Sequence, residues 1–443
     1  MQLKKSSSGR GLMRAARYLT NVACAGIIGL AAATWLPAQA PVMTTLYTFT
    51  VGSAGWDPFS NLVRDANGAL YGVTSGGGGV SPFCTDGCGV AFQLAPPAVA
   101  GGAWTYNVLY SFQGEGDGAG PNGPLVLDAQ GNLYGTTQSG GAVVNENYTG
   151  TVFELAPPAA PGDPWVHTIL ATFPNAAQGS SPSGGVVLGA GGAIYGFTLQ
   201  GGAFADSDLG GVAFQLTPPG GPEGVWSYNV LHSFNPSIDG YYPTGTPVLD
   251  SHGRLYGVTS GSLSETAYGQ LFVLTPPATA GGAWGEHILY GTPLSVNGVV
   301  LGPDGALYGT TEHGGTNCSE GCGTVVQFVP PASAGNGWTE NTIYEFAGGH
   351  DGQLPFGLPV VTPGGRVYGT TDAGGSANAG TIYELTPPST AGGAWTKALL
   401  HTFEGNDGRF PLYGIILAPG GVIYGVTNRG GSAGVGVVFD LTL

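Results

Sequence analysis

Charged residues, and basic residues above all, are scarce in this chain. Only 9% of its 443 residues are charged, with 11 Lys and Arg against 27 Asp and Glu. Five of the basic residues lie in the first 40 positions, so the remainder holds six basic and 27 acidic residues, a net charge of −21. Such a chain repels the phosphates of nucleic acids and of anionic membranes. We therefore expect neither nucleic acid nor a membrane surface as a partner.

Sequence signatures of several enzyme classes are also missing. The chain contains no His-Glu-x-x-His motif, no phosphate-binding loop and no Ser-x-Asp-x-Gly-x-Thr-Trp box of the sialidase type. Its seven His residues show no metal-ligand spacing, and no segment shows helical periodicity. These absences exclude a nucleotide enzyme, and no catalytic residue, metal ligand or cofactor is predicted.

Long hydrophobic stretches are absent except near the N-terminus. There, five basic residues are followed by an apolar run from about Val22 to Leu36 and by Ala38-Gln39-Ala40. This order is typical of a secretory signal peptide, and the run falls short of the roughly 20 residues that span a membrane. We predict a signal peptide over residues 1–40. The expected product is secreted or periplasmic, monomeric and without a membrane span.

Glycine and proline, by contrast, are abundant and periodic, with 83 Gly and 33 Pro. One phrase recurs seven times at intervals of 52 to 63 residues: Leu, Ile or Val, then Tyr-Gly, a β-branched or aromatic residue, and Thr. Its tyrosines are Tyr71, Tyr134, Tyr195, Tyr256, Tyr308, Tyr368 and Tyr424. Repetition at this interval indicates a tandem array of one structural unit.

The most regular copy predicts four short strands. Residues 124–128 and 132–137 flank a tight turn, residues 150–156 alternate apolar and polar until Pro157-Pro158, and residues 165–173 form a fourth strand. Seven such units predict an all-β fold, a seven-bladed β-propeller of four-stranded antiparallel blades in one domain over residues 41–443. A β-helix has a shorter repeat and a sandwich does not repeat one phrase, so both fit less well.

The two ends of the chain predict how the ring closes. After the last Tyr-Gly phrase the chain stops one strand short of a full blade. The missing fourth-strand pattern occurs instead at Thr45-Leu46-Tyr47-Thr48-Phe49. We expect residues of about 44–50 to pair with the last blade, about 412–442, which leaves no free sheet edge.

Two halves of the repeat, Leu-Tyr-Gly-Thr-Thr-x-x-Gly-Gly and Gly-Thr-Val-Phe-x-Leu-x-Pro, recur together, as at 133–141 with 150–157. They resemble the GloVer (Gloeobacter/Verrucomicrobia) tandem-repeat family of exported bacterial proteins over about residues 44–443. The resemblance implies a β-propeller-like fold. It implies no established activity and supplies no catalytic residues.

Five loops that join a fourth strand to the next first strand carry an acid, and such loops share one face of a propeller. The acids are Asp57, Asp117, Asp239, Asp351 and Asp407. A ring of acids would suit a calcium ion or a carboxylate pair for glycan chemistry. Alternatively, Asp-Gly-x-x-Pro is a turn in which Asp accepts backbone N–H bonds and Gly takes positive φ. Because the motif recurs with the fold, the turn interpretation is preferred.

Aromatic residues beside these acids differ from blade to blade, as ligand-contacting residues would. They are Trp56, Tyr241, Tyr242, Phe356, Phe410 and Tyr413. Sugar rings stack on such side chains, although aromatic residues near a propeller face also pack between blades. The candidate ligand-binding residues are these aromatics and the five acids. The repeated Tyr-Gly-Thr phrases and six repeated Trp residues are interpreted as packing between blades.

Cysteine occurs five times, and four of the residues form two closely spaced pairs in the same loop of blades one and five. We predict local disulfides, Cys84–Cys88 and Cys318–Cys322, because export supplies an oxidising compartment. Their expected use is to stiffen the loops. A shared zinc site or a redox pair is a less favoured alternative.

The favoured function is an exported, non-catalytic propeller that binds an extracellular glycan or protein through the face bearing the Asp- and Gly-rich loops. One alternative is a glycan-active hydrolase or lyase that uses two of the five acids. Another is a purely structural surface protein. The sequence by itself does not decide between them.

Overall fold

Seven antiparallel sheets, each built from one repeat, form the protein. The computed structural model describes residues 40–443 apart from residues 83, 100, 142, 145–146, 161, 174, 183, 205–208, 222–223, 262–268, 280, 293–295, 320, 334–335 and 391. In six sheets the strands lie in chain order from the first to the fourth, and in the seventh sheet the N-terminal strand takes the fourth place. The predicted seven-bladed β-propeller is confirmed. The predicted signal peptide lies outside the described residues.

The second and third strands form the middle of each blade. The second strands are Leu70–Gly76, Leu133–Ser139, Ile194–Gln200, Leu255–Gly261, Leu307–Thr311, Val367–Thr371 and Val422–Thr427. The third strands are Val90–Ala95, Thr151–Ala156, Val212–Thr217, Gly269–Thr275, Thr324–Val329, Thr381–Thr386 and Val437–Thr442. Side chains on both faces of these strands are buried, because each blade packs between two neighbours.

The fourth strands are the outer strands of the blades, and the first strands are shorter and often interrupted. The fourth strands are Thr105–Ser111, Val166–Thr172, Ser227–Ser233, Gly285–Thr292, Thr339–Glu345, Thr396–Thr402 and, for blade seven, Val42–Thr48. The first strands are Trp56–Pro58 with Val63–Arg64, Ala119–Pro121 with Val126–Leu127, Ser180–Pro182 with Val187–Leu188, Tyr241–Leu249, Val296–Leu301, Val360–Val361 and Ile415–Ala418.

Helical structure within the described ranges is confined to 3-10 turns at Glu115–Asp117, Ala176–Gln178, Ala190–Gly192 and Gly349–Asp351. A further short hairpin pairs Val143–Val144 with Asn147–Tyr148. No helix in this part of the chain has the length and apolar character required to cross a bilayer.

The Tyr-Gly phrase is the second strand of every blade, and its glycine makes room for an aromatic ring. Gly72 pairs with Phe92 on the third strand, and a Cβ atom at Gly72 would lie 2.7 Å from the Phe92 ring. The preceding tyrosine packs against the Trp of the next blade, with ring centroids 6.2 Å apart for Tyr71 and Trp165. Equivalent Tyr–Trp contacts join Tyr195 to Trp284, Tyr256 to Trp338 and Tyr424 to Trp104. The predicted packing role of both residues is confirmed.

The N-terminal strand closes the ring as predicted. Val42–Thr48 pairs antiparallel with Val437–Thr442, so the beginning of the described chain becomes the fourth strand of blade seven. Phe49, which follows it, is fully buried and meets the Phe92 ring of blade one edge-on at 5.5 Å. The last blade is thereby joined to the first.

Substitution of Phe49 by Ala tests this closure. We expect Phe49→Ala to lower the free energy of unfolding by about 3–5 kcal/mol, because a large, fully buried ring is lost. Thr45→Ala, an exposed position on the same strand, is the matched control and should change it by less than about 0.5 kcal/mol. Both values come from chemical denaturation. Equal stability of the two variants would contradict a closing role for this strand.

Candidate functional site

Four of the five loop acids are built into turns. Each accepts a hydrogen bond from the backbone N–H of the residue that follows the buried Phe at the end of a fourth strand. The pairs are Gln113 with Asp117 (2.7 Å), Asn235 with Asp239, Ala347 with Asp351 (2.8 Å) and Glu404 with Asp407 (2.8 Å). The Gly after each acid has a φ between 87° and 130°. These acids therefore have the turn role that the repeat predicts.

The other oxygen of each of these carboxylates is bonded to a fourth-strand side chain of the same blade. The partners are Tyr110 for Asp117 (2.6 Å), His232 for Asp239 (2.6 Å), Tyr344 for Asp351 (2.7 Å) and His401 for Asp407 (2.9 Å). Two of these carboxylates also contact a basic side chain of the next blade. Lys397 Nζ lies 2.9 Å from Asp351, and His167 Nδ1 lies 3.4 Å from Asp117. The turn acids thus hold blades together.

Asp57 occupies a different place from the other four acids. It lies eight residues after the closing Phe, and its carboxylate is bonded by Asn428, by Arg429 Nη1 at 2.6 Å and by Ser75 Oγ at 3.2 Å. Asn428 and Arg429 belong to blade seven and Ser75 to blade one. Asp57 therefore bridges the two blades at which the ring closes.

In five blades the residue at the position of Asp57, just before the first-strand Pro, has a left-handed backbone conformation with positive φ. The residues and their φ values are Asp57 (61°), Ser181 (53°), Tyr242 (56°), Leu354 (58°) and Phe410 (60°). Each backbone N–H is bonded to the loop between the second and third strands of the preceding blade, as Tyr242 to the Gly210 carbonyl at 2.8 Å. Recurrence of this conformation indicates a link between blades. It accounts for two of the candidate aromatics, Tyr242 and Phe410.

Two candidate aromatics, Trp56 and Tyr241, directly precede these left-handed residues, and each covers a glycine of the second strand. Trp56 pairs with Gly76, where a Cβ atom would lie 2.5 Å from the indole ring, and Tyr241 pairs with Gly261 in the same way. The Tyr241 ring also meets the Tyr242 ring edge-on at 4.9 Å. These rings are partly buried by their own blades.

A cavity of about 300 Å³ lies where all seven blades meet. It is lined by segments at the start of the first strands, which in six blades follow a Pro. Blades one to seven contribute in turn Phe59, Asn122, Gly184, Thr244, Asn297, Phe356 and Leu412. Only the axis of the ring is within reach of every blade. Of the predicted site residues, Phe356 and Tyr413 line this cavity.

Tyr413 departs from the symmetry of the cavity. Four other blades have Gly at its position, two residues after the Pro: Gly123, Gly184, Gly245 and Gly357. The Tyr413 ring packs against Phe59 with centroids 4.5 Å apart. Burial, together with the nearby charges of Asp57 and Asp372, raises the pKa of Tyr413, and Arg429 opposes that rise. The aromatic wall of the cavity therefore stands beside charged groups of blades six, seven and one.

Polar side chains complete the lining, and some of their oxygen atoms have no partner. Asn61 Oδ1, Asn122 Oδ1 and Thr244 Oγ1 make no hydrogen bond to any residue that the structure describes. Asn297 donates to the Phe356 carbonyl at 3.2 Å. Because buried polar groups are normally hydrogen-bonded, unpartnered oxygens beside a cavity indicate a place for water or for a polar ligand.

Two carboxyl groups not foreseen from the sequence lie at equivalent positions of neighbouring blades. Asp372 and Glu312 directly follow the Thr of the Tyr-Gly phrase in blades six and five. The residue at the same position of blade three, Leu199, lines the cavity. Burial and the charge of Glu312 raise the pKa of Asp372 to about 6, although Arg409 opposes the rise. Asp372 Oδ1 has no hydrogen-bond partner within the described ranges. Asp372 therefore retains its proton into the mildly acidic range.

Both predicted disulfides, Cys84–Cys88 and Cys318–Cys322, are present. The carbonyl of Cys88 accepts the N–H of Gly120, and that of Cys322 accepts the N–H of Leu354 at 2.8 Å. Gly120 and Leu354 each precede the Pro of a first strand that leads into the cavity wall. The disulfides therefore brace the loops that hold this wall.

No cluster of three or more His, Cys, Asp or Glu side chains suited to a metal ion occurs in the part of the chain that the structure describes. The five acids of the sequence prediction do not converge, because four of them are separated in the turns of different blades. A calcium site shared by them therefore has no support in this geometry.

The residues missed by the sequence analysis share one signal. They stand where the seven copies of the repeat differ: the residue after the Thr of the phrase, which includes Glu312 and Asp372, and the residues after the first-strand Pro, which include Asn61 and Asn122. An alignment of the repeats shows these positions as variable. It does not show that they face one cavity.

Asp351→Asn distinguishes a turn acid from a ligand-binding acid. We expect a loss of about 3 kcal/mol or more in unfolding free energy, because the Lys397 side chain is only 7% exposed and would lose its counter-charge. Asp86→Asn, an exposed loop acid, is the control and should change little. Chemical denaturation at pH 7 measures both. An unchanged stability would contradict the turn role.

The same residue predicts a dependence on pH. Burial alone would raise the pKa of Asp351, but hydrogen bonds from Lys397, Tyr344 and Ala347 outweigh it and hold the pKa below its usual value. Its stabilisation is therefore present above the unfolded-state pKa of about 3.9 and is lost as the pH falls through the lower folded-state pKa. We expect the difference between wild type and Asp351→Asn to shrink below about pH 4, as measured by denaturation at several pH values.

Comparison with known proteins identifies the repeat family of the chain. The model of the Gloeobacter/Verrucomicrobia repeat family matches residues 36–272 and 295–443. No curated protein sequence matches the chain. One similar solved structure, provisionally named as an oxidoreductase (glucose dehydrogenase) from Thermus thermophilus, is 15% identical, with a TM-score of 0.40 over 91% of this chain and 100% of its own. Another, provisionally named as a gluconolactonase, is 12% identical, with a TM-score of 0.37 over 75% and 89% of the two chains. At this level of similarity neither carries an argument about function.

Proposed function

Because the chain belongs to the Gloeobacter/Verrucomicrobia repeat family and is a seven-bladed β-propeller, we propose that it is an exported binding protein whose ligand is an extracellular saccharide held at the central cavity. The observation that carries the proposal is the cavity itself. Its wall includes residues that differ from blade to blade, among them Asn61, Thr244 and Tyr413, whereas the recurring acids are held in turns. Non-repeating residues gathered on the axis of a repeating scaffold indicate selection for a ligand.

The chemistry of the lining favours a saccharide. Phe59 and Tyr413 offer aromatic surface on which the C–H face of a sugar ring can stack. The side chains of Asn61, Asn122 and Thr244 line the cavity and carry amide and hydroxyl groups of the kind that bond the hydroxyl groups of a sugar. A few convergent polar groups on an aromatic wall are typical of sites that fix the orientation of a small ligand.

The size of the cavity favours a sugar unit over a folded protein surface. Its volume of about 300 Å³ lies at the lower end of the range for ligand pockets, roughly 300–1,000 Å³. A stable protein interface removes about 1,200–2,000 Å² from solvent and needs no such cavity. The protein ligand considered from the sequence is therefore the less favoured choice.

Tyr413→Gly tests the binding proposal with little risk to the fold, because four other blades have Gly at that position. The wild-type protein is screened on an array of neutral and acidic oligosaccharides, and the affinity of a retained sugar is then measured by calorimetry. We expect Tyr413→Gly to weaken binding at least about tenfold, or roughly 1.4 kcal/mol. Tyr413→Phe, which keeps the ring, should lose less.

Asn107→Ala, at an exposed position of an outer strand, serves as the control and should bind as the wild type does. Thermal unfolding of each variant separates a binding defect from a folding defect. Two results would overturn the proposal: no saccharide retained by the wild type, or a retained saccharide bound equally well by Tyr413→Gly.

A second candidate function, a glycan-active enzyme, is favoured by Asp372 and not by the turn acids. A carboxyl group with a pKa of about 6 beside a second carboxyl, Glu312, suits general acid catalysis of glycosidic bond cleavage. If Asp372 is the general acid, product release from a bound oligosaccharide should decline as the pH rises through about 6, because Asp372 loses its proton. Asp372→Asn should abolish product release and leave retention of the sugar intact. Retention without any product from the wild type would exclude this second function.

A further inference from the structure

Basic residues are rare in the propeller, and most are neutralised. Six Lys and Arg follow residue 40. Four of them form ion pairs: Arg254 with Asp250, Arg366 with Glu384, Lys397 with Asp351 and Arg429 with Asp57. Arg409, which forms no ion pair with a described residue, lies next to Arg429. This is the one place in the described ranges where two cations adjoin.

Backbone hydrogen bonds place Arg409 and Arg429 directly opposite each other. The N–H of Arg409 donates to the Arg429 carbonyl at 2.7 Å, and the N–H of Arg429 donates to the Arg409 carbonyl at 3.0 Å. Residues that exchange both bonds form a hydrogen-bonded antiparallel pair, so their side chains project from the same face of the sheet. Like charges at such a pair repel each other and destabilise the sheet.

The corresponding pair is uncharged in the five other blades where it is described. The pairs are Trp56 with Gly76, Ala119 with Ser139, Ser180 with Gln200, Tyr241 with Gly261 and Gln353 with Ala373. The fold therefore does not need charge at this place. The two arginines of blade seven are therefore not a requirement of the repeat.

The two guanidinium groups are held in different ways. Arg429 bonds Asp57 at 2.6 Å and the Asn428 carbonyl at 3.1 Å, which fixes its orientation and neutralises its charge. Arg409 is exposed and lies over the Phe410 ring, with its guanidinium carbon 4.3 Å from the ring centroid. No carboxylate described in the structure lies within 4.0 Å of Arg409. Arg409 therefore makes no contact ion pair, although its charge acts on the Asp372 carboxyl from more than 4.0 Å away, and stacking on Phe410 holds its side chain in place.

Both arginines lie in the sector of the ring that contains Tyr413, since Arg409 acts on Asp372 and Asp372 acts on Tyr413. Arg429 and Asp57 act on the Tyr413 hydroxyl, and Tyr413 lines the cavity. A sugar ring against Tyr413 and Phe59 would bring a substituent of the ring, or of the adjoining unit, close to the two guanidinium groups. Guanidinium groups bind carboxylates through two parallel hydrogen bonds.

We propose that Arg409 and Arg429 form a subsite for the carboxylate of an acidic saccharide, so that the ligand of the cavity is a uronic-acid-containing glycan. The inference rests on the proposed function and names its ligand class. Arg409 supplies an exposed charge that no contact ion pair neutralises, and Arg429, oriented by Asp57, supplies further N–H donors. The net negative charge of the rest of the protein rejects acidic polymers that lack a matching sugar ring.

The test compares ligands that differ only in charge. Oligomers of galacturonate, glucuronate and mannuronate are titrated into the full-length mature protein alongside their methyl esters, which retain the ring and lose the carboxylate charge. We expect at least one free acid to bind about ten times or more tightly than its ester. Arg409→Gln should remove that preference and leave binding of the ester unchanged, and added salt should weaken binding of the acid alone.

Arg366→Gln is the matched control, since it removes an exposed guanidinium that lies just before the second strand of another blade. It should keep the preference for the acid. Equal binding of acids and esters by the wild type, or an unchanged preference in Arg409→Gln, would overturn the carboxylate subsite and leave the saccharide-binding function standing. If no acidic or neutral saccharide binds, both proposals fail together.

Discussion

The structure depends on the contact between the glycine of the Tyr-Gly phrase and the aromatic ring of the neighbouring third strand, which six of the seven blades make. Gly72, Gly135, Gly196, Gly257, Gly369 and Gly425 each have an aromatic ring within 2.7 Å of where a Cβ atom would stand. A side chain there would push the ring into the next blade. Since every blade is buried on both faces, one displaced ring would alter the spacing of two neighbours, and the spacing of all seven determines whether the ring closes.

Features that repeat around the ring maintain this spacing. The Trp of one blade covers the Tyr of the one before it, the turn acids tie each fourth strand to the following loop, and left-handed residues before proline bond to the preceding blade. Acids and aromatics that resemble a binding face in the sequence are in large part such links. A ring of identical links has no preferred side, so specificity must come from residues that differ between blades.

Those residues collect on the axis and on one sector of the ring. Tyr413 replaces a repeated Gly, Arg409 and Arg429 replace an uncharged pair, and Asp372 and Glu312 occupy neighbouring blades. Asp57 and Arg429 are 372 positions apart in the chain and 2.6 Å apart in the fold. The sector spans blades five to one across the closing seam. A site there exists only after the N-terminal strand has joined the last blade.

The sequence by itself determined the number of blades, their strand order, the closing strand, both disulfides and the scaffold role of what repeats, because periodicity reports directly on a structure made of copies. It also placed Phe356 and Tyr413 among the candidates. Only the tertiary structure decided that Asp117, Asp239, Asp351 and Asp407 stay apart in their turns, and that Asn61, Asp372, Arg409 and Arg429 lie around Tyr413. The physical reason is that closing a ring brings together residues from blades far apart in the chain, and no local pattern records which of them will meet.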